Sequence, residues 1–156
     1  MKTRKAPTPA PPTLLARLRQ QGLRVTPQRR AILGLLSAGH GHFTAEDVYQ
    51  HISPGMPDVS RTTVYSTLRD LVERGELTEV ADPGAEAVRY DTNTALHHHL
   101  VCLSCHALLD IGRDFPGLRL TGKEAAGYQI TRHQVTFLGY CPACLASRPA
   151  QPTGDA

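Results

Sequence analysis

The sequence predicts an α+β chain in two parts, helices in front and strands behind, and three observations carry that expectation. Apolar residues recur at helical spacing through most of residues 13–75. Turn residues then set off shorter stretches of strand composition. All four cysteines fall in the back part, as Cys-x-x-Cys pairs at 102/105 and 141/144. At 156 residues there is room for one ordinary domain or two small ones.

Charge divides the chain in the same way. Eleven of the 17 lysines and arginines, but seven of the 14 acids, lie in residues 1–80, so the front carries +4 and the back −1. A basic front fits a nucleic-acid-binding module; an unevenly charged solvated surface is the plainer alternative. No apolar run reaches the ~18–20 residues of a membrane span. The opening "MKTRKAPTPAPPT" passes from basic residues into proline, not into the apolar stretch of a secretory signal. The expectation is a cytoplasmic chain with no membrane partner and no organic cofactor. Residues 1–12 read as a disordered arm and 147–156 as a flexible tail. In such a chain two Cys-x-x-Cys pairs favour metal over disulfides.

The elements follow in order. "LLARLRQQG" is a short amphipathic helix stopped by Gly22. "TPQRRAILGLLSAG" opens with Thr26 as N-cap and Pro27 at the first helical position, and closes at Gly39. In "TAEDVYQHI", Thr44 caps and Asp47 gives a variant of the capping box. "SPGMPDV" is a loop. In "SRTTVYSTLRDLVERG" the residues Val64, Leu68, Leu71 and Val72 make one buried stripe. Arg61, Thr63, Ser66, Thr67, Arg69 and Asp70 lie on the opposite face. Residues 77–81 and 87–91 read as strands joined by a turn at Asp82-Pro83-Gly84. Helices followed by such a hairpin describe a winged helix over 13–91, its last helix suited to a major groove. A helical domain without a DNA partner, with Tyr65 as a core aromatic, is the alternative.

Residues 92–95 form a linker, and 96–146 a small α/β domain. Four thiolates in two pairs suit Zn²⁺ in a closed structural site. Such a site can contribute ~10–16 kcal/mol to folding, and a part this small has a thin core. The cysteines leave the neighbouring "ALHHHLVCLSCHALLD" (residues 95–110) unexplained. In a strand His97 and His99 share one face and His98 takes the other. Asp110, on the next strand, reaches the same region. Asp91 ends the second wing strand, and His42 precedes the third helix. Mixed histidine and aspartate ligands select Fe²⁺ or Mn²⁺; a solvated surface run is the plain reading of three histidines. His40 and His51 receive no role.

Together these motifs resemble the ferric uptake regulator family of metal-dependent bacterial repressors. The resemblance spans roughly residues 14–145 and rests on "GLRVTPQRRAIL", "HFTAEDVY", "TTVYSTLRDLVERG", "HHHLVCLSC" and "GYCPAC". It implies an N-terminal winged-helix DNA-binding domain, then a small α/β dimerisation domain with a four-cysteine zinc site. It also implies a homodimer that binds palindromic double-stranded operator DNA when metal is held between the domains. Structural Zn²⁺ then falls on Cys102, Cys105, Cys141 and Cys144. Regulatory Fe²⁺ or Mn²⁺ falls on His42, Asp91, His97, His99 and Asp110. His98 resembles a member of an accessory metal site, with His133. Zinc-sensing members carry cysteine at the position of Asp91, and iron-sensing members usually carry glutamate at both aspartate positions. The all-aspartate set resembles the peroxide-sensing members, in which iron-catalysed oxidation of a ligand histidine, here matched by His42 and His97, releases the operator. The alternatives are an iron or manganese uptake regulator, a zinc sensor, and, from another class, a metal-dependent enzyme. The last would need a general acid or base beside an open site, and no spare carboxylate stands out for it.

For DNA, the resemblance points Tyr65 at a thymine methyl and brings Arg61 and Thr63 near base edges. Arg24 would enter the minor groove, and Arg29 and Arg30 would sit on phosphates. This chain departs from the family in two places. His106 stands where a glycine usually follows the second cysteine at a tight turn. Residues 115–127 show no evident carboxylate for the accessory site, and the family's long helix there looks short and broken by glycine.

Overall fold

The computed structural model describes residues 13–39 and 41–148, which fall into two units: 13–78 with 90–93, and 79–89 with 94–148. The expected arm at 1–12, His40 and the tail from 149 onward lie outside the described residues.

In the first unit local capping sets the helix boundaries. Helix α1 (Leu14–Gln20) is capped by Thr13, and α2 (Pro27–Leu36) by Thr26, whose hydroxyl accepts the Arg29 amide at 3.3 Å. Helix α3 (Ala45–Ile52) has a full capping box: Thr44 Oγ1 accepts from Asp47 N at 3.0 Å, and Asp47 Oδ2 accepts from Thr44 N at 2.8 Å. Helix α4 (Arg61–Glu73) starts at Ser60, whose Oγ accepts from Thr63 N at 3.1 Å. Each such cap contributes ~1 kcal/mol. Helix α4 stops at Gly75, which holds φ 70 while its amide reaches Val72 O and that of Glu76 reaches Leu71 O, both at 2.9 Å. This paired closure needs a left-handed residue, hence glycine. Helix α2 ends at Leu36, three residues before Gly39, with a turn between them.

The apolar stripes of these helices meet in one core, with Leu18, Ile32, Val48, Val64, Leu68 and Leu71 fully buried. Burial of each aliphatic side chain contributes ~1.5–3 kcal/mol. Thr67, expected on the polar face of α4, is instead fully buried. Its hydroxyl donates to Thr63 O at 2.7 Å, which removes the penalty of burying it. Arg17 of α1 grips Glu76 through Nε and Nη2.

Strands β1 (His42–Thr44), β2 (Thr78–Val80) and β3 (Arg89–Asp91) form a sheet in the order β1-β3-β2. The expected strands at 77–81 and 87–91 are therefore shorter than their composition suggested. β1 was not foreseen, since three residues carry no readable period.

The turn segment 79–89, read from sequence as part of the front domain, packs with the second unit. There β4 (His98–Cys102) is central, antiparallel to β5 (Leu108–Ile111) and parallel to β6 (Thr136–Gly139), with α5 (Pro142–Ala146) after it. Residues 112–135 form turns and loops with no helix, where the sequence suggested a short one broken by glycine; Pro116, Gly117, Gly122 and Gly127 leave too little uninterrupted chain for it. The fully buried apolar residues of this unit reduce to Val101 and Cys102, with Val80 nearly so. A core that thin needs a staple. Among the described residues no helix is long and apolar enough to cross a membrane.

Candidate metal centres

The second unit holds the four cysteines in one cluster, all sulfurs within 4.8 Å of one another. Cys102 ends β4, Cys105 follows in the turn, Cys141 is the residue before α5, and Cys144 lies inside that helix. A zinc tetrahedron with ~2.3 Å arms has edges of about 3.8 Å, and the sulfurs of Cys105 and Cys141 stand 3.8 Å apart. The set fits Zn²⁺ in donor type and in spacing. Backbone amides of Cys105, Cys141 and Ser104 turn towards Cys102 and bring its thiol down to about 6. The Ser104 hydroxyl favours the Cys144 thiolate too, but the thiols of Cys141 and Cys105 outweigh it and push Cys144 up to about 12. One sulfur is thus ready for a cation, and another gives up its proton only to a metal.

The histidine face of β4 belongs to the same unit. His97, immediately before the strand, and His99 within it bring their Nε2 atoms to 2.9 Å. Asp110, the register partner of His99 on β5, lies 3.5 Å from His97 Nε2 and 3.7 Å from His99 Nε2. The Ala95 carbonyl can only accept, so its 2.7 Å contact fixes the proton of neutral His97 on Nδ1 and leaves a lone pair on Nε2. The Gln134 amide stands 3.2 Å from Nδ1 of His99. With the Gln134 amide donating to its Nδ1, neutral His99 carries its proton on Nε2 and donates it to the Nε2 lone pair of His97; a cation would take the place of that proton once Gln134 turns its amide oxygen to Nδ1. Two ligands at ~2.1 Å and right angles around an ion are about 3.0 Å apart. The set fits an ion of octahedral preference, such as Mn²⁺ or Fe²⁺.

The first unit pairs the other two expected ligands. His42 on β1 and Asp91 on the adjacent β3 approach to 3.6 Å between Nε2 and Oδ2. Asp91 is fully buried and its Oδ1 accepts from Asn93 N at 2.7 Å. A buried carboxylate costs several kcal/mol unless it is paired, which suits a position reserved for a cation.

His98 points to the opposite face of β4, where its ring stacks near His133 and tilts against Phe115. Asp114 completes a third cluster with these two histidines. It sits one residue before the stretch 115–127, where the sequence offered no match for the accessory site's carboxylate, and only the fold brings it near. The Nε2 of His133 is buried without a hydrogen-bond partner. His98 differs, because Val135 N donates to its Nδ1 at 3.1 Å. A neutral His98 then carries its proton on Nε2 and has no lone pair left for a metal.

The expected DNA residues lie in the first unit. Arg24, Arg30, Arg61 and Tyr65 are exposed, Tyr65 at 49%. Arg61 is held by Glu46 through two contacts of 2.9 Å, with its guanidinium 4.1 Å above the Tyr49 ring. Thr63 Oγ1 is 2.9 Å from Ser60 Oγ. Arg29 binds Asp70 of α4 at 2.5 Å and the Arg24 carbonyl at 3.2 Å, so its charge ties α2 to α4. His51 is an exposed residue of the last turn of α3.

Known proteins resemble this chain in sequence and in fold. The sequence profile of the ferric uptake regulator family matches residues 20–138. The peroxide-responsive repressor PerR of Staphylococcus aureus is 36% identical over 133 residues, covering 83% of this chain and 88% of that one. The ferric uptake regulator (Fur) of Vibrio cholerae superposes with a TM-score of 0.63 at 30% identity, covering 80% of this chain and 97% of that one. The Helicobacter pylori regulator Fur shares the fold, at TM-score 0.66 and 19% identity over 85% of this chain and 89% of that one. With its profile matched across most of its length, the chain belongs to the ferric uptake regulator family.

Proposed function

We propose that this chain is a metal-dependent transcriptional repressor that binds palindromic operator DNA as a homodimer when Fe²⁺ or Mn²⁺ is held by His42, Asp91, His97, His99 and Asp110. The observation that carries the reading is the segregation of donors. Among the described residues every cysteine stands in one cluster, and the other clusters contain only imidazole and carboxylate. Thiolates favour zinc, whereas imidazole with carboxylate suits iron or manganese. Four thiolates leave zinc no open position, so that ion is structural; the histidine and aspartate set is the exchangeable one. An accessory ion at His98, His133 and Asp114 would first have to displace the Val135 hydrogen bond from His98, so the reading keeps two ions.

In this reading residues 13–91 make a winged helix, with α4 in the major groove and the β2–β3 turn, which packs with the second unit, as its wing. Arg61, Thr63 and Tyr65 face bases, and Arg24 and Arg30 face the minor groove and a phosphate. Exposed apolar residues of the second unit, Leu109 at 60% and Tyr128 at 78% among them, suit burial against a second copy. A two-fold dimer matches a palindromic site. The cytoplasm is its expected compartment.

The ligand types and the similarity to the S. aureus repressor support peroxide sensing. Ferrous iron held by the set would supply the one-electron reduction of hydrogen peroxide, so that overall one peroxide oxygen would go to a ring carbon and the other leave as water. The chain contributes rings held at the reacting position: His97, its Nε2 lone pair fixed by Ala95, and His42 beside Asp91. A ring that takes up oxygen loses basicity at the ligating nitrogen, the set weakens, and the operator is released. The likeness to the V. cholerae regulator supports a second reading, an iron or manganese uptake regulator without peroxide sensing.

The test is binding of an operator-type duplex by the zinc-loaded protein with Fe²⁺ or Mn²⁺, before and after a low dose of H₂O₂. Mass spectrometry of the peptides holding His42 and His97 accompanies it. The Fe²⁺ form should lose DNA and gain one oxygen on either histidine while the Mn²⁺ form keeps both. An Fe²⁺ form that stays bound and unmodified would leave the uptake-regulator reading; binding that ignores both metals would overturn the metal-dependent repressor.

A further inference from the structure

The residue that departs from the family pattern, His106, makes a contact that glycine could not make. It holds φ 56, in the left-handed region that an L side chain adopts only at a cost. Such strain persists where surrounding contacts offset it. Here the Nδ1 of His106 lies 3.1 Å from Oδ1 of Asp82, whose side chain is 1% exposed. Neutral His106 with its proton on Nδ1 suffices as donor. The other carboxylate oxygen of Asp82 accepts from Arg89 Nε at 3.3 Å. Asp82 is thus a buried acceptor that needs both partners.

The two ends of this contact are rigid for different reasons. On one side the His106 amide donates to Cys102 O, and the Cys102 amide donates to Ala107 O, both at 2.9 Å. These bonds close the loop that carries Cys102 and Cys105. On the other side Pro83 and Gly84 occupy the centre of a turn in which Ala85 N donates to Asp82 O at 3.1 Å, with Gly84 at φ 94. That combination is a type II turn, with proline at its second position and glycine at its third. The ring of His106 packs on the turn, for a Cβ added to Gly84 would stand 3.8 Å from Cε1 of His106.

We propose that His106 and Asp82 are a positioning pair that tethers the 82–85 turn to the cysteine knuckle, so that the four-cysteine site sets where the turn lies. With glycine at 106 the knuckle would close around zinc equally well and leave the turn untethered. The consequence for DNA rests on the proposed function, in which this turn is the wing; the tether itself does not.

Hydrogen exchange on the full chain loaded with zinc and Mn²⁺ tests the tether, comparing the wild type with His106→Gly and His106→Ala. Both replacements remove the donor to Asp82; glycine also relieves the left-handed backbone, whereas alanine keeps that cost. Amides at 84–88 should exchange about tenfold faster, the scale of a hydrogen bond to a charged group, while zinc content and protection of β4 stay at wild-type values. A merely tolerated His106 predicts the opposite for His106→Gly, since relief of strain leaves exchange unchanged or slower, and that result overturns the proposal. So does loss of zinc or of β4 protection in both variants, which would confine His106 to the knuckle. Binding of a Mn²⁺-dependent duplex should fall severalfold in both variants. Faster turn exchange with unchanged duplex binding keeps the tether and removes the wing assignment.

Discussion

Arg61 opens the helix proposed to read DNA, yet Glu46 engages the Nε and Nη2 edge of its guanidinium, which also covers Tyr49. Hydrogen bonds from Arg61, and then from Gln50, hold the Glu46 carboxyl below its ordinary range, so the pair is ionised at neutral pH. A bidentate carboxylate competes for the same face of the fork that a phosphate would take. Glu46 should therefore withhold one cation from non-specific DNA. The perturbation is Glu46→Gln, which keeps the shape and removes the charge. One additional phosphate contact steepens the dependence of log affinity on log salt by about 0.9. Between 50 and 200 mM salt that slope amounts to about a 3.5-fold greater loss of affinity. The assay is fluorescence anisotropy on a random-sequence duplex across that range, in a cycle with Arg61→Ala. Glu46→Gln should bind more tightly at low salt with the steeper slope, and the double variant should match Arg61→Ala alone. An unchanged slope refutes the reasoning, as does an equal change in the Arg61→Ala background, which would mean general repulsion of DNA by Glu46.

Two further outcomes follow from burial and from the thiols. Leu68→Ala, at a fully buried position of α4, should cost about 2–5 kcal/mol, read as a lowered urea midpoint of the helical signal; a shift equivalent to less than about 1 kcal/mol would mean that the core collapses around the gap. Zinc binding should release protons: Cys144, pushed up to about 12, gives one at neutral pH, whereas Cys102, brought down to about 6, is already a thiolate there. As pH falls through 6, Cys102 is protonated before zinc arrives, so release should rise by one proton and zinc affinity should drop more steeply, as measured by calorimetry in buffers of different ionisation enthalpy.

What the sequence made legible was local. Thr26, Thr44 and Ser60 start their helices with hydrogen bonds spanning three residues, and Gly22 and Gly75 stop theirs within one turn. The alternation of His97, His98 and His99 likewise follows from strand geometry alone. The features that escaped depend on partners far along the chain. β1 exists because His42–Thr44 pairs with residues more than forty positions later, and β6 because Thr136–Gly139 lies parallel to β4. Thr67 looked like surface because threonine is polar; its buried hydroxyl is answered by its own helix. Asp114 gave no signal and Asp82 only that of a turn, since an acid in a loop acquires a partner only when the fold brings a histidine to it.

The two units draw their stability from different sources, and this gives the segregation of donors a physical reason. The first unit has a continuous aliphatic core spanning four helices, so it can present His42 and Asp91 on adjacent strands without any ion to hold the fold. The second has little buried hydrocarbon, and its central strand runs directly into Cys102. Its order must come from the four thiols, and a site that contributes to folding cannot also release its ion as a signal without unfolding the part that senses. In the proposed function an exchangeable ion therefore needs a separate donor set, weaker in thiophilic affinity and built on strands that zinc at the four thiols would fix. β4 provides this directly: Cys102 closes the strand at one end, and His97 and His99 stand at the other, five and three residues away along one rigid element.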